Sequence, residues 1–233
     1  MSVQLEFVAH ACFRLWEDGR PSIVMDPLTF SELKLPAPTE QLQADTIIAS
    51  SLTDPAHSNL GLVAGTPRVI NALDVARGKQ VAINGEPLIA IAAAEDPNHP
   101  DGPDDNALYA FKAGGLWFAH LGDLGFGLTN DDLKPWVGHC DVLMAIIGEK
   151  LTLKLDDLDP MIDFLKPTWI VPMHYDLPPV AFGMSKIEKF LGRRKRDAVF
   201  YPRHHTVTFP LPKSERGNPT IVVMETSGYV STL

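Results

Sequence analysis

Short apolar runs recur along the whole chain, separated by segments that contain Pro, Gly and Asp. Runs of this length, rich in β-branched residues and bounded by turn residues, are typical of β-strands. The clearest hairpin pairs Ala107–Ala113 with Leu116–Ala119 across Gly114-Gly115. The pattern predicts strands in both halves of the chain, over residues 3–14 (with a turn at 10–11), 22–25, 46–49, 68–70, 81–83, 88–94, 107–113, 116–119, 141–147, 168–172, 206–209 and 221–224.

Two segments follow the helical period instead. The segment Ser185–Leu191 is a predicted helix that Ser185 would cap. The other helix is predicted from an apolar stripe at helical spacing, formed by Leu155, Leu158, Met161, Ile162 and Leu165. Two strand-rich halves that also carry helices predict an α/β fold, with two sheets packed face to face and helices outside them. No change in composition marks a linker, so we expect one domain over residues 1–233.

Composition and charge narrow the class of partner. The 233 residues are 45% hydrophobic and 21% charged, which is an ordinary globular composition. With 20 basic and 29 acidic side chains the formal net charge is −9, so we expect neither nucleic acid nor a membrane as a partner. One basic run, Arg193–Arg196, is expected at a helix end, where cations suit the negative pole of the helix.

The cysteines and the N-terminal residues bear on the compartment. Only Cys12 and Cys140 are present, widely separated, which suggests neither a disulfide framework nor a cysteine metal site. The first residues lack the basic start and the apolar stretch of a signal peptide. No apolar run reaches the ~18 residues needed to cross a membrane. We therefore expect a cytoplasmic protein.

Polar residues that can bind metal follow several of the predicted strands. Asp54 and His57 come after Ile47-Ile48, Asp123 after Trp117-Phe118, and His174 after Ile170-Val171. Glu95 or His99 follows the run 89–94 in the same way. Because polar groups at strand ends meet at one rim of a sheet, where α/β proteins build their sites, these residues are expected to converge.

Five segments, in this order along the chain, resemble the metallo-β-lactamase superfamily, in particular its lactonase-like branch of predicted metal-dependent hydrolases. The resemblance extends from about Leu5 to Leu191. It implies the αββα four-layer sandwich of that superfamily, with two packed mixed sheets and helices on the outer faces. Each segment is weakly specific alone, and the ordered set is strong: Val8–Phe13, Val24–Pro27, Asn106–Tyr109, Ala119–Gly125 and Val171–Tyr175.

The metal-binding motif of the family, H-x-H-x-D-H, falls on residues 52–57, where only the last histidine, His57, remains. Leu52 and Asp54 stand at the first two histidine positions, and Ala56 stands at the aspartate position. The resemblance places the next histidine ligand near Glu95, with His99 as a displaced alternative. It maps the bridging aspartate to Asp123 and the final histidine to His174.

The replaced ligands are unevenly distributed between the two metal sites of the family. One site of the family would hold Leu52, Asp54, Glu95 and Asp123 here, so its three-imidazole cage is lost. The other site keeps His57, Asp123 and His174 and loses only the ligand at Ala56. The resemblance therefore implies at most one divalent ion, Zn²⁺, Mn²⁺ or Fe²⁺, or none. Convergence of Asp54, Glu95 and Asp123 would favour manganese or magnesium over zinc.

Two function classes follow. The first is a hydrolase of a small ester, lactone or phosphoester, with Asp54 and Asp123 as candidate catalytic residues and Asp54 as a further ligand or a base. His10 and Asp26 match positions that support the site without binding metal. The second is a non-catalytic ligand-binding or scaffold protein, favoured by Leu52 and Ala56. A homo-oligomer in which a neighbouring chain supplies missing ligands is a third arrangement.

Overall fold

The computed structural model describes residues 2–18, 20–35, 40–96, 105–177, 183–214 and 217–227. The predicted apolar runs form strands, and the hairpin across Gly114-Gly115 is confirmed. In chain order the strands are β1 Val3–Ala9, β2 Cys12–Glu17, β3 Arg20–Met25, β4 Thr46–Ala49, β5 Arg68–Asn71, β6 Ala82–Ile83, β7 Glu86–Pro87, β8 Ile89–Ala94, β9 Asp105–Ala113, β10 Leu116–His120, β11 Val142–Ile146, β12 Trp169–Met173, β13 Ala198–Phe200, β14 Thr206–Phe209 and β15 Thr220–Val222.

The strands form two mixed sheets and one short hairpin. The first sheet has the order β14-β1-β2-β3-β4-β5, in which β1, β2 and β3 are antiparallel neighbours and β4 and β5 extend the sheet in parallel. The second sheet has the order β13-β15-β12-β11-β10-β9-β8, and β6 pairs only with β7. The first sheet thus takes its strands from the first third of the chain, except for β14, which returns to pair with β1.

The two sheets pack against each other through aromatic and aliphatic side chains. Phe209 of the first sheet meets Phe118 and Trp169 of the second edge to face, with ring centroids 5.7 and 5.4 Å apart. Phe7 stacks on Phe13 at 4.9 Å within the first sheet. Period-2 alternation sends Val24 and Ile47 to the opposite face, where they join a second apolar cluster with residues of the segment 28–35.

Among the residues that the structure describes, four α-helices accompany the sheets: α1 Ala72–Ala76, α2 Asn130–Leu133, α3 Leu155–Leu165 and α4 Ile187–Arg193. All five residues of the predicted apolar stripe on α3 are buried, as the spacing required. The prediction that Ser185 caps the next helix is wrong. Helix α4 begins at Ile187 after Lys186, and the Ser185 hydroxyl donates instead to Glu149 Oε2 at 2.6 Å. The predicted arrangement of sheets flanked by helices is confirmed.

The basic run lies at the end of α4, as predicted, and its arginines face acidic residues of α3. Arg193 Nη2 lies 2.7 Å from Asp159 Oδ2, and Arg194 Nη1 lies 2.9 Å from Asp163 Oδ1. Both cysteines are free and buried. None of the helices in the described ranges is long and apolar enough to pass through a bilayer.

Candidate metal centre

The ends of strands from both sheets meet at one edge of the sandwich. His10 follows β1 and Asp26 follows β3, while His57 lies in the loop after β4. Asp123 and His174 follow β10 and β12 of the second sheet. All five side chains are buried. The convergence predicted from strand ends therefore brings residues from both sheets into one cluster.

His57 lies between two carboxylates. Its Nδ1 is 2.6 Å from Asp54 Oδ2 and 3.3 Å from Asp123 Oδ2. Burial alone would lower the pKa of His57, but the charge of Asp123 and the hydrogen bond with Asp54 outweigh it and raise the pKa to about 10. At neutral pH that pKa keeps a proton on both ring nitrogens, so an ion would displace the proton on Nε2 while Nδ1 continues to donate to Asp54, which is the usual relation of a carboxylate to a metal-binding histidine.

Asp54 is held in a tight turn. Its Oδ1 accepts a hydrogen bond from the Ala56 N–H at 2.8 Å, and its Oδ2 faces His57. Burial raises the pKa of Asp54, yet the hydrogen bonds from His57 and the backbone prevail and hold it below its usual value. Both carboxylate oxygens therefore have partners within the turn, which suits Asp54 to orienting His57.

Asp123 connects the two histidines at opposite sides of the cluster. Its Oδ2 lies 3.3 Å from His57 Nδ1, and its Oδ1 lies 3.2 Å from His174 Nε2. The Asn106 side chain accepts a hydrogen bond from the Asp123 N–H at 3.2 Å. The preceding Gly122 has a φ of 58°, and a Cβ there would lie 2.6 Å from Asn106 Oδ1. Only glycine fits this turn, which fixes the position of Asp123.

His10 and His174 face each other across the two sheets. Both have left-handed backbones, with φ of 57° and 53°, which is uncommon for a residue with a side chain. The His174 N–H donates to the His10 carbonyl at 2.9 Å, and the ring centroids are 3.7 Å apart. Burial is the largest cause that lowers the pKa of each imidazole. The structure therefore places His10 within the cluster rather than behind it.

Asp26 lies deeper than the cluster. Its Oδ1 accepts a hydrogen bond from the Ser50 N–H at 2.6 Å, and its Oδ2 lies 3.4 Å from His120 Nδ1. Burial raises the pKa of Asp26 to about 7, against the opposing charge of His57. Its contacts with Ser50 and His120 tie together the loops that follow β4 and β10.

His120 is a buried residue whose role the sequence did not reveal. Its Nδ1 accepts a hydrogen bond from the Gly122 N–H, and its Nε2 lies 2.9 Å from the Ala11 carbonyl, each at hydrogen-bonding distance. The acceptor role of Nδ1 assigns the proton to Nε2. Tyr109 stacks on the ring with centroids 5.0 Å apart. One neutral imidazole thus joins the turn before Asp123 to the turn that contains His10.

Two substitutions of His120 should each remove one of its two hydrogen bonds and keep the other. His120→Asn keeps an acceptor for the Gly122 N–H, and His120→Gln keeps a donor for the Ala11 carbonyl, so each should cost about 1–3 kcal/mol of unfolding free energy at neutral pH. Burial lowers the pKa of His120 to about 3. Because the unfolded chain binds a proton near 6.5 and the folded chain does not, the native protein loses stability as the pH falls below 6.5.

Both variants lack this titration, so relative to them the native protein should lose about 2 kcal/mol between pH 7.5 and pH 5. Urea unfolding of chelator-treated protein at the two pH values measures the difference. If the difference in unfolding free energy between native and variant proteins were the same at both pH values, a neutral buried His120 would be contradicted.

The donors suit a divalent metal ion. Among the described residues, two groups offer ligand atoms within 4.8 Å of one another, namely His10, His57 and His174, and Asp54, His57 and Asp123. Four buried ligand atoms have no hydrogen-bond partner within the described ranges: His10 Nδ1, His57 Nε2, His174 Nδ1 and Asp123 Oδ1. Buried polar atoms are rarely left without a partner, and a bound cation would satisfy these.

The other predicted ligand positions lie outside these groups. Leu52 is 40% exposed, and Ala56 has no donor side chain. Glu95 is half-buried, in neither of the two groups, with its backbone packed against Gly125. His99 lies outside the described residues, as do the segments 36–39, 97–104 and 178–182.

Comparison with a known protein family agrees with this geometry. Residues 4–174 match the family model described as the beta-lactamase superfamily domain. The match covers well over half of the chain, and the chain therefore belongs to the beta-lactamase superfamily. The resemblance carried by the ordered sequence segments is thereby confirmed.

Individual relatives narrow the class. A Thermococcus onnurineus protein named UPF0173 metal-dependent hydrolase is 24% identical over 221 residues, covering 86% of this chain and 97% of that protein. A Thermotoga maritima structure, described as a proposed Zn-dependent hydrolase of the metallo-beta-lactamase superfamily, has a TM-score of 0.69 and 26% identity, covering 97% and 100% of the two chains. A metallo hydrolase from Ignicoccus hospitalis shares the fold, with a TM-score of 0.61 and 18% identity over 91% and 100% of the two chains. The names of these relatives imply a metal cofactor for the family.

Proposed function

We propose that the protein is a metal-dependent hydrolase that acts on an ester, lactone or phosphoester of a small molecule through one divalent ion. The observation that carries this proposal is the buried cluster of His57, Asp123 and His174, in which ligand atoms lack partners within the described chain. The relatives named metal-dependent hydrolases support it.

The residues of the cluster have distinct parts in the proposed reaction. A divalent ion supplies Lewis acidity, which polarises a carbonyl or phosphoryl oxygen and acidifies water. His57 and His174 bind the ion, and Asp54 orients the His57 ring through its Nδ1. Asp123 contacts both histidines and would hold the ion with them, and it is also the carboxylate placed to accept a proton from water at the cluster.

A basic cavity beside the cluster favours an anionic substrate. The cavity has a volume of about 500 Å³ and is lined by Lys150, Lys154 and Lys189, with Glu149 as its one acidic lining residue. Glu149 is paired with Lys189 and accepts a hydrogen bond from the Ser185 hydroxyl. Gly148, which lines the cavity, lies against the backbone carbonyl of His174, so one residue separates the cavity from the main chain of that histidine. Lys154 also donates to the Glu149 carbonyl, and three lysine charges against one carboxylate leave the cavity positive enough to attract a carboxylate or phosphate on the substrate.

The alternative is a ligand-binding protein without catalysis. The exposed side chain of Leu52 at the first motif position supports it, because an apolar group there cannot bind a second ion. A cleft that holds one ion or none can still bind a small anion in the same basic cavity. The two functions differ in turnover and share the binding site.

Metal removal and restoration test the proposal. The full chain is treated with a chelator, reloaded with Zn²⁺, Mn²⁺ or Fe²⁺, and assayed on aryl esters, lactones and phosphodiesters, each in an anionic and a neutral form. We expect activity to disappear with the metal, to return with one equivalent of ion, and to favour the anionic form. Stoichiometric metal without turnover of any of these classes would favour the ligand-binding alternative, and a chain that binds no ion would overturn the proposal.

A further inference from the structure

We propose that His10 is a direct metal ligand, which replaces the ligand lost at Ala56 and completes a three-histidine site with His57 and His174. This inference rests on the proposed metal site and adds a residue that the family motif does not supply. One ligand atom from each histidine lies within 4.8 Å of the other two. Ligands of a tetrahedral ion lie about 3.4 Å apart, so small side-chain rotations bring the three nitrogens into place.

The ring nitrogen Nδ1 of His10 also supports a role as a metal ligand. Its Nδ1 is buried and has no hydrogen-bond partner among the described residues, as is true of His57 Nε2 and His174 Nδ1. A histidine that only supports a ligand would donate to it or to a carbonyl oxygen. The three histidines are far apart in sequence, yet one ligand atom of each lies within 4.8 Å of the others, so the three rings surround a place that a shared cation would fill.

The backbone around His10 is fixed by the cluster itself. The residue sits in the left-handed region between β1 and β2, a conformation that persists in a non-glycine residue only where its surroundings enforce it. The His174 N–H donates a hydrogen bond to the His10 carbonyl, and His120 Nε2 donates one to the carbonyl of Ala11. Both hydrogen bonds act on the main chain, which leaves the His10 imidazole available to bind an ion.

His10 also changes the chemistry of the ligand set. Ala56 leaves His57, Asp123 and His174 as two imidazoles and one carboxylate, which suits several divalent ions. A third imidazole makes the set richer in nitrogen, which favours Zn²⁺, Co²⁺ or Fe²⁺ over Mn²⁺ and Mg²⁺. The loss of the motif aspartate is therefore compensated from the turn between β1 and β2, at the same edge of the sandwich.

The number of imidazoles around the ion is the decisive measurement. X-ray absorption of the full chain loaded with one equivalent of Zn²⁺ should fit three imidazole ligands in the native protein and two in His10→Gln. The glutamine keeps the size and polarity of the side chain but is a poor ligand for zinc. Titration with Co²⁺, followed by visible absorption, should give an affinity at least about tenfold lower for His10→Gln, while the exposed control His204→Ala should bind as the native protein does.

The outcomes separate this inference from the proposed function. A native protein that binds Zn²⁺ through only two imidazoles, with unchanged Co²⁺ affinity in His10→Gln, overturns the assignment of His10 and leaves the hydrolase proposal standing. A native protein that binds neither ion overturns both. Because the imidazole count of the native protein needs no substitution, the test holds even if a variant folds poorly.

Discussion

Replacing Asp123 with asparagine should remove most of the bound metal and lower any hydrolytic rate by more than about a hundredfold. Asp123 is buried and contacts both His57 and His174, so its loss removes a ligand and the contact that sets the spacing of the two histidines. Partners outside the ligand shell already cost about 10- to 100-fold when removed, and a ligand costs more. Asparagine keeps the shape of the side chain and its backbone hydrogen bond, so the fold should survive.

The matched control is Asp131→Asn, because the Asp131 side chain is 83% exposed and lies in α2. Metal content by elemental analysis, initial rates and thermal unfolding are measured for all three proteins. The control should equal the native protein in each. Native metal content in Asp123→Asn would refute a metal site built on this carboxylate.

Gly148→Ala should strongly destabilise the protein and disturb the cluster. Gly148 follows the end of β11, and a Cβ there would lie 2.1 Å from the carbonyl oxygen of His174 and 3.3 Å from Met184 Sδ. The closest atom belongs to the backbone, so the loop after β11 or His174 itself must move. We expect a loss of about 3 kcal/mol of unfolding free energy, a fall in Tm of about 6 to 12 °C, and weaker metal binding.

Gly192→Ala provides the comparison for this effect. Gly192 lies inside α4 with nothing within 4 Å of the added methyl group. Alanine should stabilise the helix there by about 0.5–1 kcal/mol, the opposite sign to the change at Gly148. Thermal and urea unfolding of both variants measure the two effects. Equal Tm values in Gly148→Ala and the native protein would mean that the backbone of His174 has room to move.

Much of the fold was accessible from the sequence because its strands and α3 obey simple periods. The glycine turn between β9 and β10 and the buried stripe of α3 required no tertiary information. The pairing of β14 with β1 did require it, because an isolated short strand carries no signal for its partner. The cap at Ser185 failed for a related reason, since Glu149 competes for the hydroxyl from a distant part of the chain.

The sequence predicted which residues of the candidate site converge, but not the position of His10 or the contacts of His120. Family-like segments pointed to His57, Asp123 and His174, and strand ends explained why they converge. The inward position of His10 depends on a left-handed turn and on a contact with His174 from the other sheet. The hydrogen bonds of His120 connect two turns that are more than a hundred residues apart, so no local sequence pattern reveals them.

The pairing of β14 with β1 has a consequence for synthesis. Strand β1 emerges early from the ribosome, but the partner that covers its outer edge, Thr206–Phe209, is translated much later. Until then the first sheet carries an unpaired edge, the kind that invites pairing with another chain. His10 likewise has no contact with His174 until that residue is translated, 164 positions later. The nascent chain is therefore most exposed to misassembly until β14 has been translated, and the cluster can take up an ion only once His174 has been made.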